Sequence, residues 1–117
     1  MTHYEDQRWV AIPKPAVTAA VLQHARDPIF LRRFTDKIDA GFDLDDCHIW
    51  TGALSDEGYG TFRVLKHNVR AHRVAWLLRY GDTLGDRFLD HIWPLCQGRW
   101  CVNTDHLEPV TNAENSR

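Results

Sequence analysis

Long apolar runs are missing from this 117-residue chain, so no segment reaches membrane-spanning length. The N-terminus also lacks the basic-then-apolar pattern of a secretory signal peptide, and we expect a soluble, cytoplasmic protein. Cysteine is scarce, and three is an odd number, which argues against a closed disulfide framework and favours reduced thiols or metal ligands. Repeats and low-complexity tracts are absent as well, and the length suits one domain with a modest core.

A strong net charge is lacking too, since the formal value is −2. The basic residues are nevertheless unevenly placed, because the stretch from Arg63 to Arg79 carries five of them and no acidic residue. Such a face can contact a phosphate backbone, with Arg63, Lys66, Arg70 and Arg73 as candidates. A solvated hairpin face explains the same charges equally well.

The pattern of apolar residues predicts an α+β fold. Two helices are expected in an N-terminal segment, residues 1–45, the second opening at Asp27 with Pro28 in its first turn and running to about Asp39. Residues 46–117 then predict a hairpin with its turn at Lys66-His67-Asn68, a helix ending before Gly81, and two short strands flanking a cysteine-containing loop. The apolar stripe of the second helix favours core packing or an interface. The N-terminal helices would either form a homodimer or add DNA contacts, and of these two we prefer the dimer, because Phe30, Phe34 and Ile38 exceed what a small core is expected to bury.

Cys96, Cys101 and His106 are each separated by four residues, in the pattern C-x4-C-x4-H. Thiolate and imidazole ligands suit zinc, which prefers four of them in a tetrahedron. Cys47 is the remaining cysteine and is the candidate for the fourth position. Buried free thiols are the alternative interpretation.

Further polar residues flank this loop and are not needed for zinc. Asp90 and His91 end one predicted strand, while a capping box beginning at Thr111 places Asn115 in the first turn of a helix. Asp90 and Asn115 offer oxygen ligands for a hard divalent ion. With His91 as a base and an arginine nearby, such a site would suffice to hydrolyse a phosphodiester.

These residues also carry a family resemblance. The runs C-H-I-W-T-G-x5-G-Y-G-x-F-R, A-H-R-V-A-W and L-D-H, followed by C-x4-C-V-N-x-x-H-L-E-P-V-T-N-x-E-N, resemble the HNH endonucleases of the His-Me finger (ββα-metal) class. The likeness is to the zinc-stabilised homing endonucleases of phages and introns, and it covers about Cys47 to Asn115. It implies a small ββα-metal domain with a zinc knuckle, encoded by a phage or bacterium and acting on double-stranded DNA.

The resemblance also implies roles for individual residues. His91 matches the general base, Asn115 matches a ligand of the catalytic Mg²⁺ or Mn²⁺, and Asp90 matches a second ligand used by some members. Arg63 matches a strand arginine that contacts the scissile phosphate. The structural zinc would be held by Cys47, Cys96, Cys101 and His106. The expected reaction is DNA cleavage that leaves 5′-phosphate and 3′-hydroxyl ends.

The sequence departs from the family pattern between the base and the zinc loop. Four residues separate His91 from Cys96, where relatives usually have one. This departure is the basis of an alternative, a catalytically silent DNA-binding module of the same fold. A zinc-stabilised protein-interaction domain is a further alternative, and it predicts DNA binding that is weak and insensitive to salt.

Overall fold

The architecture was derived from a computed structural model, which describes residues 14–40, 46–65, 67–85, 87–92 and 98–111. Within these ranges the fold is mixed α/β, with three α-helices and short two-stranded antiparallel sheets. None of the described helices has both the length and the apolar character needed to cross a bilayer. The elements are α1 (Lys14–Gln23), α2 (Pro28–Thr35), β1 (Ile38–Asp39), β2 (Ile49–Trp50), β3 (Thr61–Val64), β4 (His67–Arg70), α3 (Ala71–Tyr80), β5 (Phe88–His91), a 3-10 turn (Thr104–His106) and β6 (Leu107–Val110).

Helix α2 begins as the sequence predicts. The Asp27 side chain accepts a hydrogen bond from the Ile29 N–H at 2.9 Å, and Pro28 occupies the first turn, where its missing N–H costs nothing. The expected end at about Asp39 is wrong, because the helix stops at Thr35. Ile38 and Asp39 instead pair with β2, since the backbone groups of a distant strand satisfy them better than a further helical turn.

The hairpin of β3 and β4 has a tighter turn than the sequence predicts. Val64 pairs with His67, so the chain reverses between these two residues, and His67 belongs to β4. Leu65 adopts φ 56°, as a two-residue hairpin turn requires. Helix α3 follows β4 directly and ends at Gly81, whose φ of 71° is easily reached without a side chain.

An aromatic cluster joins the N-terminal helices to the strands. Phe34 lies 5.1 Å from the rings of both Trp50 and Phe62, and Phe30 meets Phe62 edge-on at 5.6 Å. Gly60 is needed here because a Cβ atom at that position would lie 2.6 Å from the Trp50 indole. Phe30 and Phe34 are thus buried within one chain. The expectation of a dimer rested on their being exposed, and that argument does not hold.

The core is completed by the packing of α1 against α3. Apolar side chains of the two helices meet the inner faces of the β3–β4 hairpin. The buried members outside the aromatic cluster include Val17, Ala20, Val21, Val64, Val69, Ala71, Val74, Leu77, Leu84 and Val102. This core holds one face of α3 and thereby fixes the position of His72, which is central to the site.

Candidate active site and metal centre

Three of the four predicted zinc ligands come together. The ligand atoms of Cys47, Cys101 and His106 all lie within 4.8 Å of one another. The His106 Nδ1 atom is 3.7 Å from the Cys47 sulfur and 3.6 Å from the Cys101 sulfur. A tetrahedral zinc with ordinary Zn–S and Zn–N bonds separates such atoms by about 3.6 Å, so the cluster has the spacing of a zinc site. Cys96, the fourth predicted ligand, lies outside the described residues.

Backbone pairing brings Cys47 to the other two ligands. The Trp50 N–H donates to the Trp100 carbonyl at 2.9 Å, and the Val102 N–H donates to the His48 carbonyl at 2.8 Å. Buried Asn103 caps the 3-10 turn by accepting from the Asp105 N–H at 3.0 Å, and donates to the Asp46 carbonyl at 2.7 Å. Asn103 therefore ties the 3-10 turn to the backbone next to Cys47.

The predicted base lies directly beside this group of candidate metal ligands. His91 ends β5 and pairs with Leu107 of β6, and the Ile92 N–H donates to the His106 carbonyl at 2.8 Å. The His91 Nε2 atom lies 3.1 Å from the Cys101 carbonyl oxygen. A carbonyl only accepts, so Nε2 carries the proton and the lone pair of neutral His91 is on Nδ1. The backbone carbonyls of Cys101 and His106 thus fix the position of His91, and the Cys101 carbonyl also sets its tautomer.

The environment favours neutral His91. Burial lowers the pKa of the half-buried imidazole, with smaller contributions from Arg99 and His106 in the same direction. The Cys101 carbonyl and the Asp90 carboxylate oppose that shift. Asp90 itself is exposed and accepts the His91 backbone N–H at 3.0 Å. A neutral imidazole is the form that can take a proton.

A second histidine and a tyrosine surround His91; both lie in the motif runs G-Y-G and A-H-R-V-A-W, but neither was assigned to the site from the sequence. The His72 ring centroid is 5.0 Å from that of His91, and Tyr59 lies 5.6 Å from His72 and 6.1 Å from His91. Burial strongly lowers the pKa of His72, reinforced by the charges of His91, Arg70 and Arg73. The Leu89 backbone opposes that shift through a hydrogen bond to the ring. Within the described part of the chain, the His72 Nδ1 atom has no hydrogen-bond partner.

Two arginines stack on Tyr59. The guanidinium carbons of Arg70 and Arg99 lie 4.0 Å and 5.0 Å from the ring centroid, respectively. Arg70 was among the predicted DNA contacts, whereas Arg99 was not. A cation in the middle of the cysteine-containing loop was the only available signal for it.

The other predicted site residues are distributed elsewhere. Arg63 is exposed on β3 and lines a surface pocket with His24 and Arg33, and its carbonyl accepts from Arg33 at 3.4 Å. Arg73 is half-buried, and burial lowers its pKa against the opposing charge of Asp82. Lys66 and Asn115 lie outside the described residues.

Comparison with known proteins finds a similarity over the C-terminal part of the chain. Residues 69–117 match the family model of the HNH endonucleases. Over that segment the sequence is similar to the HNH endonucleases. The matched segment, residues 69–117, contains His72, His91, Cys101 and His106. Cys47 and Tyr59 precede this segment and are brought to the same site by the fold.

One curated relative extends the similarity. The chain is 33% identical over 73 residues to Protein 7.7 of Escherichia phage T7, an alignment that covers 62% of this chain. It covers 54% of the relative, so the chain spans about half the length of the curated protein it matches. No solved structure matches the chain.

Proposed function

We propose that this protein is a DNA endonuclease in which His91 acts as the general base of phosphodiester hydrolysis. The observation that carries the proposal is the hydrogen bond between His91 Nε2 and the Cys101 carbonyl, which leaves Nδ1 as the acceptor. The match of residues 69–117 to the HNH endonucleases supports the same assignment.

The base is held in place for this task. The His91 ring is hydrogen-bonded at Nε2 and packs against His72 on one side. The pairing of β5 with β6 fixes the backbone of His91. Restricting the ring in this way keeps Nδ1 directed at one position, where the attacking water would lose its proton. Once protonated, the imidazolium is stabilised by the neighbouring Asp90 carboxylate, which favours the charged form.

The zinc site has a structural role in this proposal. Cys47, Cys101 and His106, together with Cys96, would hold Zn²⁺, and the spacing of the three described ligands fits that ion. Because Cys101 and His106 also supply the carbonyls that bond His91 and Ile92, binding of zinc would stiffen the scaffold of the base.

A second, hard divalent ion completes the proposed centre. The Asp90 carboxylate, exposed beside His91, has the oxygen chemistry that Mg²⁺ or Mn²⁺ requires, and Asn115 is the proposed partner ligand. When bound, such an ion supplies charge neutralisation at the phosphate and at the leaving 3′ oxygen. The expected products therefore carry 5′-phosphate and 3′-hydroxyl ends.

Double-stranded DNA is the proposed substrate, and arginines are its proposed contacts. Arg70 reaches the surroundings of His91 through its stacking on Tyr59. Arg63, on the outer face of the hairpin, is proposed to contact a more distant phosphate. Contacts of this kind provide affinity without sequence preference.

The test is plasmid cleavage by the zinc-loaded protein with Mg²⁺ or Mn²⁺, comparing wild type with His91→Ala. His24→Ala is the matched control, because His24 stacks on Phe30 in the N-terminal segment. We expect the wild type and the control to nick or linearise the plasmid and His91→Ala to be inactive. Equal cutting by all three would refute the role of His91. If none cuts and all bind DNA, the protein is a silent DNA-binding module.

A further inference from the structure

Two guanidinium groups from distant parts of the chain are held over one aromatic ring. Arg70 ends β4 and Arg99 lies in the cysteine-containing loop, yet both stack on Tyr59. Two like charges repel at such separations, so a site that gathers them has an affinity for anions. Arg70 is also the N-cap of α3, whose first turn carries no acidic side chain, and the helix N-terminus adds positive potential there.

One carboxylate balances only part of this charge. The Glu57 Oε1 atom lies 3.3 Å from an Arg70 terminal nitrogen, with both side chains about three-quarters buried. Glu57 also accepts a hydrogen bond from Arg99, but at its backbone carbonyl and at 3.1 Å. Within the described part of the chain Arg99 has no carboxylate partner. The group of Glu57, Tyr59, Arg70 and Arg99 therefore keeps a net positive charge.

The group lies next to the proposed base. The ring of Tyr59 is 6.1 Å from that of His91, and the charge of Arg99 acts on the His91 imidazole. Successive phosphates of one DNA strand advance by about 3.4 Å along the helix axis. A strand held at His91 consequently brings a neighbouring phosphate within reach of long side chains stacked on Tyr59.

We propose that Arg70 and Arg99 form a clamp for a backbone phosphate of the strand held at His91, and that Glu57 occupies Arg70 until the phosphate replaces it. The inference rests on the proposed function, since it takes the anion to be a nucleic-acid phosphate. Stacking fixes both planar guanidinium groups, which then meet phosphate oxygens with little loss of freedom. Glu57 disfavours binding, because the incoming phosphate must displace a carboxylate that already satisfies Arg70.

The clamp is tested by binding a labelled DNA duplex to full-length His91→Ala protein, zinc-loaded and without Mg²⁺, between 50 and 200 mM salt. Adding Arg99→Gln should make the negative slope of log affinity against log salt shallower by about 0.9, the value for one lost phosphate contact. Arg99→Lys should retain the slope because it retains the charge. Arg32→Gln is the matched control, since Arg32 is 84% exposed on α2 and pairs with Asp36, and its slope should not change.

Glu57→Gln provides a test that does not depend on losing an arginine. Removing the competing carboxylate should tighten binding roughly two- to fivefold, the range expected for a partly exposed ion pair. Weaker or unchanged binding by Glu57→Gln would overturn the proposal, as would equal slope changes for Arg99→Gln and Arg32→Gln. Binding is measured without cleavage, so the two proposals can fail separately. If the wild type does not cut plasmid but Arg99→Gln still lowers the salt dependence of binding, the nuclease proposal is refuted and the clamp proposal stands. An active wild type with an unchanged slope would refute the clamp alone.

Discussion

Phe34 should be a principal determinant of stability, although it belongs to the N-terminal segment outside the family match. Its side chain is 3% exposed and lies 5.1 Å from both Trp50 and Phe62. Burial of a phenylalanine contributes about 1.5–3 kcal/mol, and two aromatic pairs add about 1–3 kcal/mol. These contributions agree with the 3–5 kcal/mol typical of Phe→Ala in a core, so we expect Phe34→Ala to cost about 4 kcal/mol.

A loss of that size is a large share of the 5–15 kcal/mol by which a domain of this kind is stable. Urea unfolding of the zinc-loaded protein, followed by tryptophan fluorescence, measures it directly. With a slope of about 2 kcal/mol per molar urea, the midpoint should fall by about 2 M. Ile29→Ala is the matched control on the same helix, because Ile29 is 72% exposed and its truncation should change stability by less than about 0.5 kcal/mol.

The result bears on the site as well as on the core. The Trp50 ring contacts Phe34, and its backbone N–H donates to the Trp100 carbonyl, in the loop that carries Cys101. Loosening this contact should therefore weaken zinc binding in Phe34→Ala, measured by competition with a chromogenic chelator. A cost below about 1 kcal/mol, with zinc affinity unchanged, would show that the N-terminal helices fold independently of residues 46–117. The reasoning would then be wrong.

Three further outcomes are expected. Cys47→Ser should weaken zinc binding, and each hundredfold loss of affinity lowers the free energy of unfolding by about 2.7 kcal/mol at saturating zinc; unchanged zinc affinity would remove Cys47 from the ligand set. Asn103→Ala should cost about 1–3 kcal/mol in urea unfolding, because it leaves the Asp46 carbonyl and the Asp105 N–H unbonded; a change within 0.5 kcal/mol would contradict this. His72 has a lowered pKa in the folded state, so below pH about 6.5 the unfolded chain binds a proton that the folded one does not, and stability falls as the pH is lowered. The stability difference between wild type and His72→Gln should accordingly change by at most about 1.4 kcal/mol per pH unit, and a pH-independent difference would refute the assignment.

Local signals allowed much of this fold to be predicted from the sequence. Asp27 and Pro28 marked the start of α2, and Gly81 marked the end of α3, because caps depend on a few adjacent residues. Ile38 was assigned to a helix since its apolar spacing continues that of α2. Its strand pairing with Trp50 is set by a contact twelve residues away, which periodicity does not reveal.

The grouping of Cys47, Cys101 and His106 could be predicted because their chemistry is rare in this chain. Three cysteines and a correctly spaced histidine limit the choices, and Cys47 could be included although it lies far from Cys101 in sequence. The surroundings of His91 were not predictable in the same way. His91 is hydrogen-bonded to the backbone carbonyl of Cys101, a group that every residue type carries and that the sequence therefore does not single out. Tyr59 comes near His91 only through the tertiary fold.

The functional unit proposed here is consequently longer than the segment that carries the family match. Residues 69–117 contain the proposed base, but Cys47 completes the metal cluster beneath it and Tyr59 stacks the arginines beside it. Both residues are brought to the site by backbone pairs and by the aromatic cluster around Trp50. Since the backbone pairs join residues 48–50 to residues 100–102, a protein shortened to residues 69–117 should lose the candidate metal site as well as the proposed clamp. We therefore expect the base to lose its orientation in that fragment even though every residue of the matched segment is retained.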